Sequence, residues 1–335
     1  MKRNAIATLV FLCSLAIMLM LASCGGGGGG GGGTLTVTAD EAYLGVRTAA
    51  YIDVTNAEAL VLGAYSGFDA ENLIPLSVTR SDFTVNVTRV LSSEINDPFY
   101  LSTVFNQITT LVKEDSMVKP LALLDPVEEC VNYPSGTLSD TLVESVNGTI
   151  GTVSGSIIYD NCDIGDGLIL DGKATISASI DLESNDLSLS MTMSPLDYDD
   201  GVTPFSLTGT ISGTITTNIS GFLVSHLGVN VTLEDSFGQT YWLNNYVLDE
   251  TEEINGASST VSGRFYAHDY GFVDFSTLET IFVPYNSSES TYDGLIRFIG
   301  SDGSYANLWL GVNQNDYCIN VFNSSGVVDL GTCAL

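Results

Sequence analysis

The sequence predicts a mostly β protein: a helix-rich region over residues 34–125, then a long antiparallel meander over 126–335 that forms a curved sheet, barrel or sandwich. Three observations predict it. From Gly136 onward apolar and polar residues alternate with a period of two, the signature of strands with one dry and one wet face. Turn signals interrupt that alternation at Asn147-Gly148, Ser184-Asn185-Asp186, Asp200-Gly201, Asn255-Gly256, Asp302-Gly303 and Ser325-Gly326. Earlier in the chain the apolar period lengthens to three and four, as on a helix.

Taken in order, residues 1–23 read as a cleaved export signal, with Lys2 and Arg3 at the positive end and an apolar run from Ala5 to Met20. Leu21-Ala22-Ser23-Cys24 resembles the lipobox of bacterial lipoproteins. The resemblance implies cleavage before Cys24 and acylation of that cysteine, palmitate being a chain of the right kind, so that the membrane partner is reached through lipid. Two or more acyl chains anchor a protein stably where one does not. An uncleaved membrane helix is the alternative that an apolar run of this length allows. The segment 24–33 is then the lipidated cysteine and a tether of nine glycines, a tract with no side chain to bury and the largest backbone entropy to lose. Gly25 stands where the lipoprotein family uses Asp for inner-membrane retention, which implies an outer-membrane lipoprotein facing the periplasm or the outside.

The first helix is expected from Asn56, a good N-cap, through Ala57-Glu58-Ala59-Leu60-Val61-Leu62 to Ser66-Gly67. Phe83 to Thr88 alternates as a strand does. A second helix follows Asp97-Pro98, with Leu101, Val104, Phe105, Ile108, Leu111 and Val112 on one face. In the meander, Leu207 to Ile219 is the clearest strand. Gly209 and Gly213 alternate there with Leu207, Ile211 and Ile215 on the apolar face, while Thr208, Thr210, Ser212, Thr214 and Thr216 make the other. Glycine inside strands permits bending. A hydroxyl row of this kind is the ordinary solvated face of a strand, with an ice-binding or adhesive ladder as its functional reading.

Composition excludes some function classes. The chain carries 40 acids against 10 bases, a formal charge of −30, and loss of the signal removes two more bases and no acid. Nucleic-acid binding is therefore excluded, since it needs clustered Lys and Arg. Self-repulsion and solubility account for most of the acidity; calcium is the metal that such carboxylates favour. Candidate calcium ligands lie in two Asp- and Gly-rich stretches, Asp160, Asp163 and Asp166 in the first, Asp197 and Asp199 in the second. Neither has the EF-hand order, and the same residues build ordinary turns. No other cofactor is indicated.

In an exported protein Cys130, Cys162, Cys318 and Cys333 are disulfide candidates. Cys130 and Cys162 straddle Asn147-Gly148, and Cys318 and Cys333 straddle Asn323-Ser324-Ser325-Gly326. Hairpins at those turns favour Cys130 with Cys162 and Cys318 with Cys333. Neither His226 nor His268 lies by a nucleophile motif, and Gly-x-Ser-x-Gly, a Walker A loop and His-Glu-x-x-His are absent. No catalytic residue is assigned, although His268-Asp269 offers the best-placed base.

Gly155 to Cys162 with Leu170-Asp171-Gly172, and Val261 to Phe265 with Tyr270 to Asp274, resemble recurring phrases of poorly characterised β-rich lipoproteins of Gram-negative bacteria. That resemblance implies an outer-membrane lipoprotein and brings no catalytic residues. The expected function is non-catalytic, structural or binding, with a protein or matrix component as partner. The alternative is a carrier that holds an acyl chain or other apolar ligand in a partly open sheet, and an enzyme is third.

Overall fold

The computed structural model describes residues 37–65, 136–141, 143–163, 169–181, 183–184, 186–199, 204–254, 256–284, 293–310 and 317–331. The expected strand at Phe83–Thr88 and the expected helix after Asp97 lie outside the described residues, as do Cys24, the tether, Cys130 and Cys333.

Two helices are described, α1 (Ala39–Ala42) and α2 (Ala57–Tyr65). Fourteen strands follow: β1 (Thr137–Asp140), β2 (Val143–Asn147), β3 (Ile150–Asp163), β4 (Ile169–Asp181), β5 (Leu187–Asp199), β6 (Phe205–Thr217), β7 (Leu223–Asp235), β8 (Thr240–Glu253), β9 (Gly256–Ala267), β10 (Gly271–Pro284), β11 (Asp293–Ile299), β12 (Tyr305–Leu310), β13 (Tyr317–Asn323) and β14 (Gly326–Gly331). The protein is thus mostly β. From β3 onward each strand neighbours the next in sequence, while β1 and β2 both pair with β3, so the sheet is the expected meander. The chain divides into two compact units: Met1–Ala42 with Leu101–Ser225 and Val231–Gly238, and Tyr43–Tyr100 with His226–Asn230 and Gln239–Leu335.

In the first unit, α1 opens with a capping box. Thr38 N–H donates to Glu41 Oε2 at 2.9 Å, and Glu41 N–H donates to Thr38 Oγ1 at 3.3 Å. The amide and hydroxyl of Thr38 hold the Glu41 carboxyl below its ordinary range. Thr232 Oγ1 donates to Ala39 O at 2.6 Å and fixes the helix to β7. Asn147 pairs with Ile150, so the central turn residues are Gly148 and Thr149, one position later than the sequence suggests. Gly148 has φ 65°, the geometry a glycine supplies at the head of a two-residue hairpin turn. The buried face of β3–β6 carries Ile157, Ala174, Ile176, Met191, Met193, Ile211 and Ile215. Each isoleucine or methionine side chain removed from water contributes about 1.5–3 kcal/mol.

The solvent face of the same strands is a block of hydroxyls. Thr152, Ser179, Ser188 and Thr214 form one row across four strands, Ser154, Ser177, Ser190 and Ser212 a second, and Ser156, Thr175, Thr192 and Thr210 a third. Ser145 extends the first row, with its hydroxyl 2.8 Å from that of Thr152. The register shifts on these strands, at Tyr159/Cys162, Gly172/Ala174 and Met193/Leu196, all fall beyond the block. Thr208 corrects the sequence reading: the shift at Met193/Leu196 takes it out of the hydroxyl face and buries it.

In the second unit the arm Tyr43–Asp53 and α2 pack on β8–β13. Asn56, expected to cap α2, does something else. Its Oδ1 accepts from Asp53 N–H at 3.0 Å and its Nδ2 donates to Tyr51 O at 2.9 Å, which ties down the chain before the helix. Asp53 supplies the local turn, taking the Thr55 hydroxyl at 2.6 Å and the Thr55 amide at 2.7 Å, and these bonds hold its carboxyl low. Leu60, Val61 and Ala64 of α2 are fully buried, with α2 packed on β9, β10, β12 and β13. Facing them are Phe265, Val273, Ile296, Phe298, Ala306, Leu308, Ile319 and Val321, all with no exposure.

The arm joins β10 edge-on. Ala50 N–H donates to Phe272 O at 2.8 Å and Phe272 N–H to Thr48 O at 3.0 Å, around a parallel bridge from Ala49 to Phe272. A Cβ on Gly271 (φ 91°) would overlap the Thr48 carbonyl, so the close approach of the arm requires glycine there.

Candidate binding face

Strands β11–β14 have one face that is buried on β11–β13 and one partly open face, on which Leu295, Asn307 and Cys318 are buried while Ile299, Trp309 and Val327 are exposed, because side chains alternate and directly paired residues share a face. Arg297 of β11 opposes Asn307 of β12, Asn307 opposes Asn320 of β13, and Asn320 opposes Asp329 of β14, a row of four planar polar side chains. One step along the strands lies the row Ile299, Tyr305, Phe322 and Val327. One step the other way lies Leu295, Trp309, Cys318 and Gly331.

The side chains in these rows hold one another. Trp309 Nε1 donates to Asn320 Oδ1 at 2.6 Å, and Asn320 Nδ2 donates to Asp329 Oδ1 at 2.8 Å. Arg297 Nε donates to Asn307 Oδ1 at 3.0 Å, and its guanidinium lies 4.8 Å from the Tyr305 ring centroid. The rings of Tyr305 and Phe322 stack at 4.5 Å with an interplanar angle of 10°. Trp309 is 40% exposed and Val327 61%. The result is an aromatic and amide surface held by its own contacts, in which Trp309, Val327 and Asp329 are open to a ligand while Asn307 is a buried brace and the Tyr305 ring is stacked on Phe322 and approached by Arg297.

Elsewhere in the same unit a second aromatic group is closed off by packing. Trp242 stacks on Tyr266 at 4.5 Å, Tyr43 meets both, and the Tyr43 hydroxyl lies 3.0 Å from the carbonyls of Val46 and Ala267. Burial pushes the Tyr43 phenol well above its ordinary pKa. Arg264 makes a two-pronged pair with Asp274, at 2.7 and 2.9 Å, and stands 3.8 Å over the Phe272 ring. Such a fork is geometrically specific, although an ion pair this exposed contributes little to stability.

The histidines take separate roles. His268 Nδ1 accepts from the Thr240 amide at 3.1 Å, within a turn whose carbonyl takes the Val46 amide at 2.8 Å. His226 on β7 pairs through Nδ1 with Asp249 of β8 at 2.6 Å, both side chains more than half exposed.

The calcium candidates do not sit in loops as the sequence suggested. Asp160 and Asp163 belong to the end of β3, and Asp197 and Asp199 to β5; Asp166 lies outside the described residues. In the first stretch the pairing with β4 continues past a register shift between Tyr159 and Cys162, where Asn161 has φ 48°. Asp197 faces Asp171 of β4 and Ser206 of β6, a juxtaposition that only the register reveals. Among the described residues no group of three or more His, Cys, Asp or Glu could hold a metal ion.

Cys162 and Cys318 are buried. The hairpin expected between Cys318 and Cys333 is present, with turn residues Ser324 and Ser325 and with Cys318 opposite Gly331, two residues short of Cys333. No reading of the sequence singled out the β11–β14 face. The signal for it was Tyr305-x-Asn307-x-Trp309 followed by Cys318-x-Asn320-x-Phe322, polar and aromatic residues at alternate positions of adjoining strands. The chain matches no family model, no curated protein and no solved structure.

Proposed function

We propose that the protein is a non-catalytic, lipid-anchored lipoprotein of the cell envelope, held in the outer membrane through acylated Cys24, whose role is to bind a partner. The observation that carries this reading is the outward face of β11–β14, where Trp309, Asn320 and Asp329 are locked in place by hydrogen bonds while the indole stays exposed. Side chains fixed before contact lose little entropy on binding, and Trp, Tyr and Arg are the residues that dominate binding surfaces. In the second unit α2 occupies the apolar face of the sheet, the place a carried acyl chain would take, and this supports binding at the surface over carriage inside that unit.

Anchoring is tested by labelling cells with a radioactive fatty acid. Label on the wild type and none on Cys24→Ala is the expected outcome; unlabelled wild type would refute the anchor. Binding is tested by adding detergent-solubilised full chain to isolated envelope fragments of the producing cell. Retention that falls in Trp309→Ala supports the reading, and equal retention of both proteins counts against it.

A further inference from the structure

The geometry points to a neutral carbohydrate chain as the ligand of the β11–β14 face, an assignment that rests on the binding role proposed above and gives its partner a chemical class. Three features of the face specify that chemistry. The first is the alternation of rings and amides. Tyr305 and Phe322 lie on one side of the polar row and Trp309 on the other, so every ring borders an amide. A sugar ring has the matching character, an apolar C–H face for an aromatic ring and a rim of hydroxyls for planar amide, carboxylate and guanidinium groups.

The second is charge. The polar row begins with Arg297 and ends with Asp329, so its formal charge sums to zero on a chain of net charge −30. An anionic glycan or a nucleic acid would approach against the field of the whole molecule, whereas a neutral chain would not. The third is size. The two aromatic rows are four residues apart along the strands, about 13 Å at strand spacing, and four strands contribute to each row. That span exceeds one sugar ring and fits an oligosaccharide or a longer polymer. A protein partner would be expected to bury its anchors in a dry apolar centre, and here the centre of the face is the amide row.

Trp309 is one of two tryptophans in the chain, and the other, Trp242, is packed against Tyr266. Fluorescence therefore reports directly on the face. The test uses the detergent-solubilised full chain titrated with soluble neutral polysaccharides, a mixed-linkage β-glucan, a galactomannan and a dextran. At least one is expected to change the tryptophan emission, to lose that effect in Trp309→Phe, and to bind roughly tenfold more weakly to Asp329→Ala, which releases Asn320 at an exposed edge without touching the core. Ser190→Ala, on the hydroxyl block of the other unit, is expected to bind as the wild type does.

No response to any of the three would overturn the carbohydrate assignment. The binding role itself is read separately, on envelope fragments treated with periodate, which cleaves vicinal diols, or with protease. Trp309-dependent retention lost to periodate supports a carbohydrate. Retention that survives periodate and is lost to protease overturns the carbohydrate and leaves the binding role standing. Equal retention of wild type and Trp309→Ala overturns both.

Discussion

Asp197 on β5 lies directly across from Asp171 on β4, two carboxyl groups side by side on adjacent strands. Burial pushes the Asp197 carboxyl above its usual range; the Ser206 hydrogen bond opposes this and the charge of Asp171 adds to it. A carboxyl whose folded pKa is raised keeps a proton that the unfolded chain has lost. Its contribution to stability is therefore best at low pH and is lost as pH rises from the ordinary carboxylate value, about 3.9, to the folded one. Asp197→Asn is expected to melt about 1–3 °C above the wild type at pH 7 and to lose that advantage at pH 4, as measured by circular dichroism. A variant less stable than the wild type at pH 7 would contradict the arrangement.

The Tyr43 hydroxyl lies against two main-chain carbonyls, Val46 O and Ala267 O. Tyr43→Phe leaves the ring stack in place and removes the donor, at a cost of about 1–2 kcal/mol. A lower midpoint in urea with an unchanged slope is the expected result. Because burial raises its pKa, the wild-type hydroxyl also holds its proton beyond the ordinary tyrosine range. Its contribution is complete below the ordinary phenol value, about 10, and is lost progressively as pH rises from there towards the raised one, so base unfolding should set in above that ordinary value and shift to higher pH in Tyr43→Phe relative to neutral stability.

On β10 a threonine side chain stands in for the ladder. The β9–β10 register is interrupted between Val273 and Ile281, and within that gap Thr277 Oγ1 accepts from Val261 N–H at 2.7 Å and lies 3.1 Å from Val261 O, to which it can donate. Thr277→Val keeps the shape and strands two main-chain groups, costing about 1–3 kcal/mol, whereas Thr277→Ser restores the hydroxyl. Hydrogen exchange at the Val261 amide should rise sharply in the first variant and little in the second.

The cysteine pairing expected from the sequence makes a prediction of connectivity. Mass spectrometry of unreduced peptides is expected to find Cys318 joined to Cys333 and Cys130 joined to Cys162. A peptide joining Cys130 to Cys318 would refute the pairing.

How much of this was legible in the sequence depended on the range of the signal. Period-two alternation located the strands of the meander, because each strand's own neighbours decide which side chains turn inward. Asn147-Gly148 marked its hairpin but missed the turn centre by one residue, since Asn147↔Ile150 is fixed by pairing that no dipeptide encodes, whereas Asn323-Ser324-Ser325-Gly326 located its turn correctly. Asn56 had the chemistry of a cap, but Asp53 three residues earlier took the turn and freed Asn56 to brace Tyr51. The candidate face was the least legible part. Arg297, Asn307, Asn320 and Asp329 are ordinary residues along the chain and become a row only when four strands are set in register.

The docked arm has a consequence for the order of assembly. Tyr43 reaches Ala267, 224 positions away in sequence, and Tyr51 meets Ser324 across 273. A chain made from its N-terminus presents Ile52 and Leu60 long before the strands that will bury them exist. Closing so long a loop is a late event, since its entropy is repaid only by contacts that need the far strands already in place. Until β9 to β13 arrive, the arm is bare apolar sequence in need of protection, and a protein cut short before β9 would carry that exposed segment permanently.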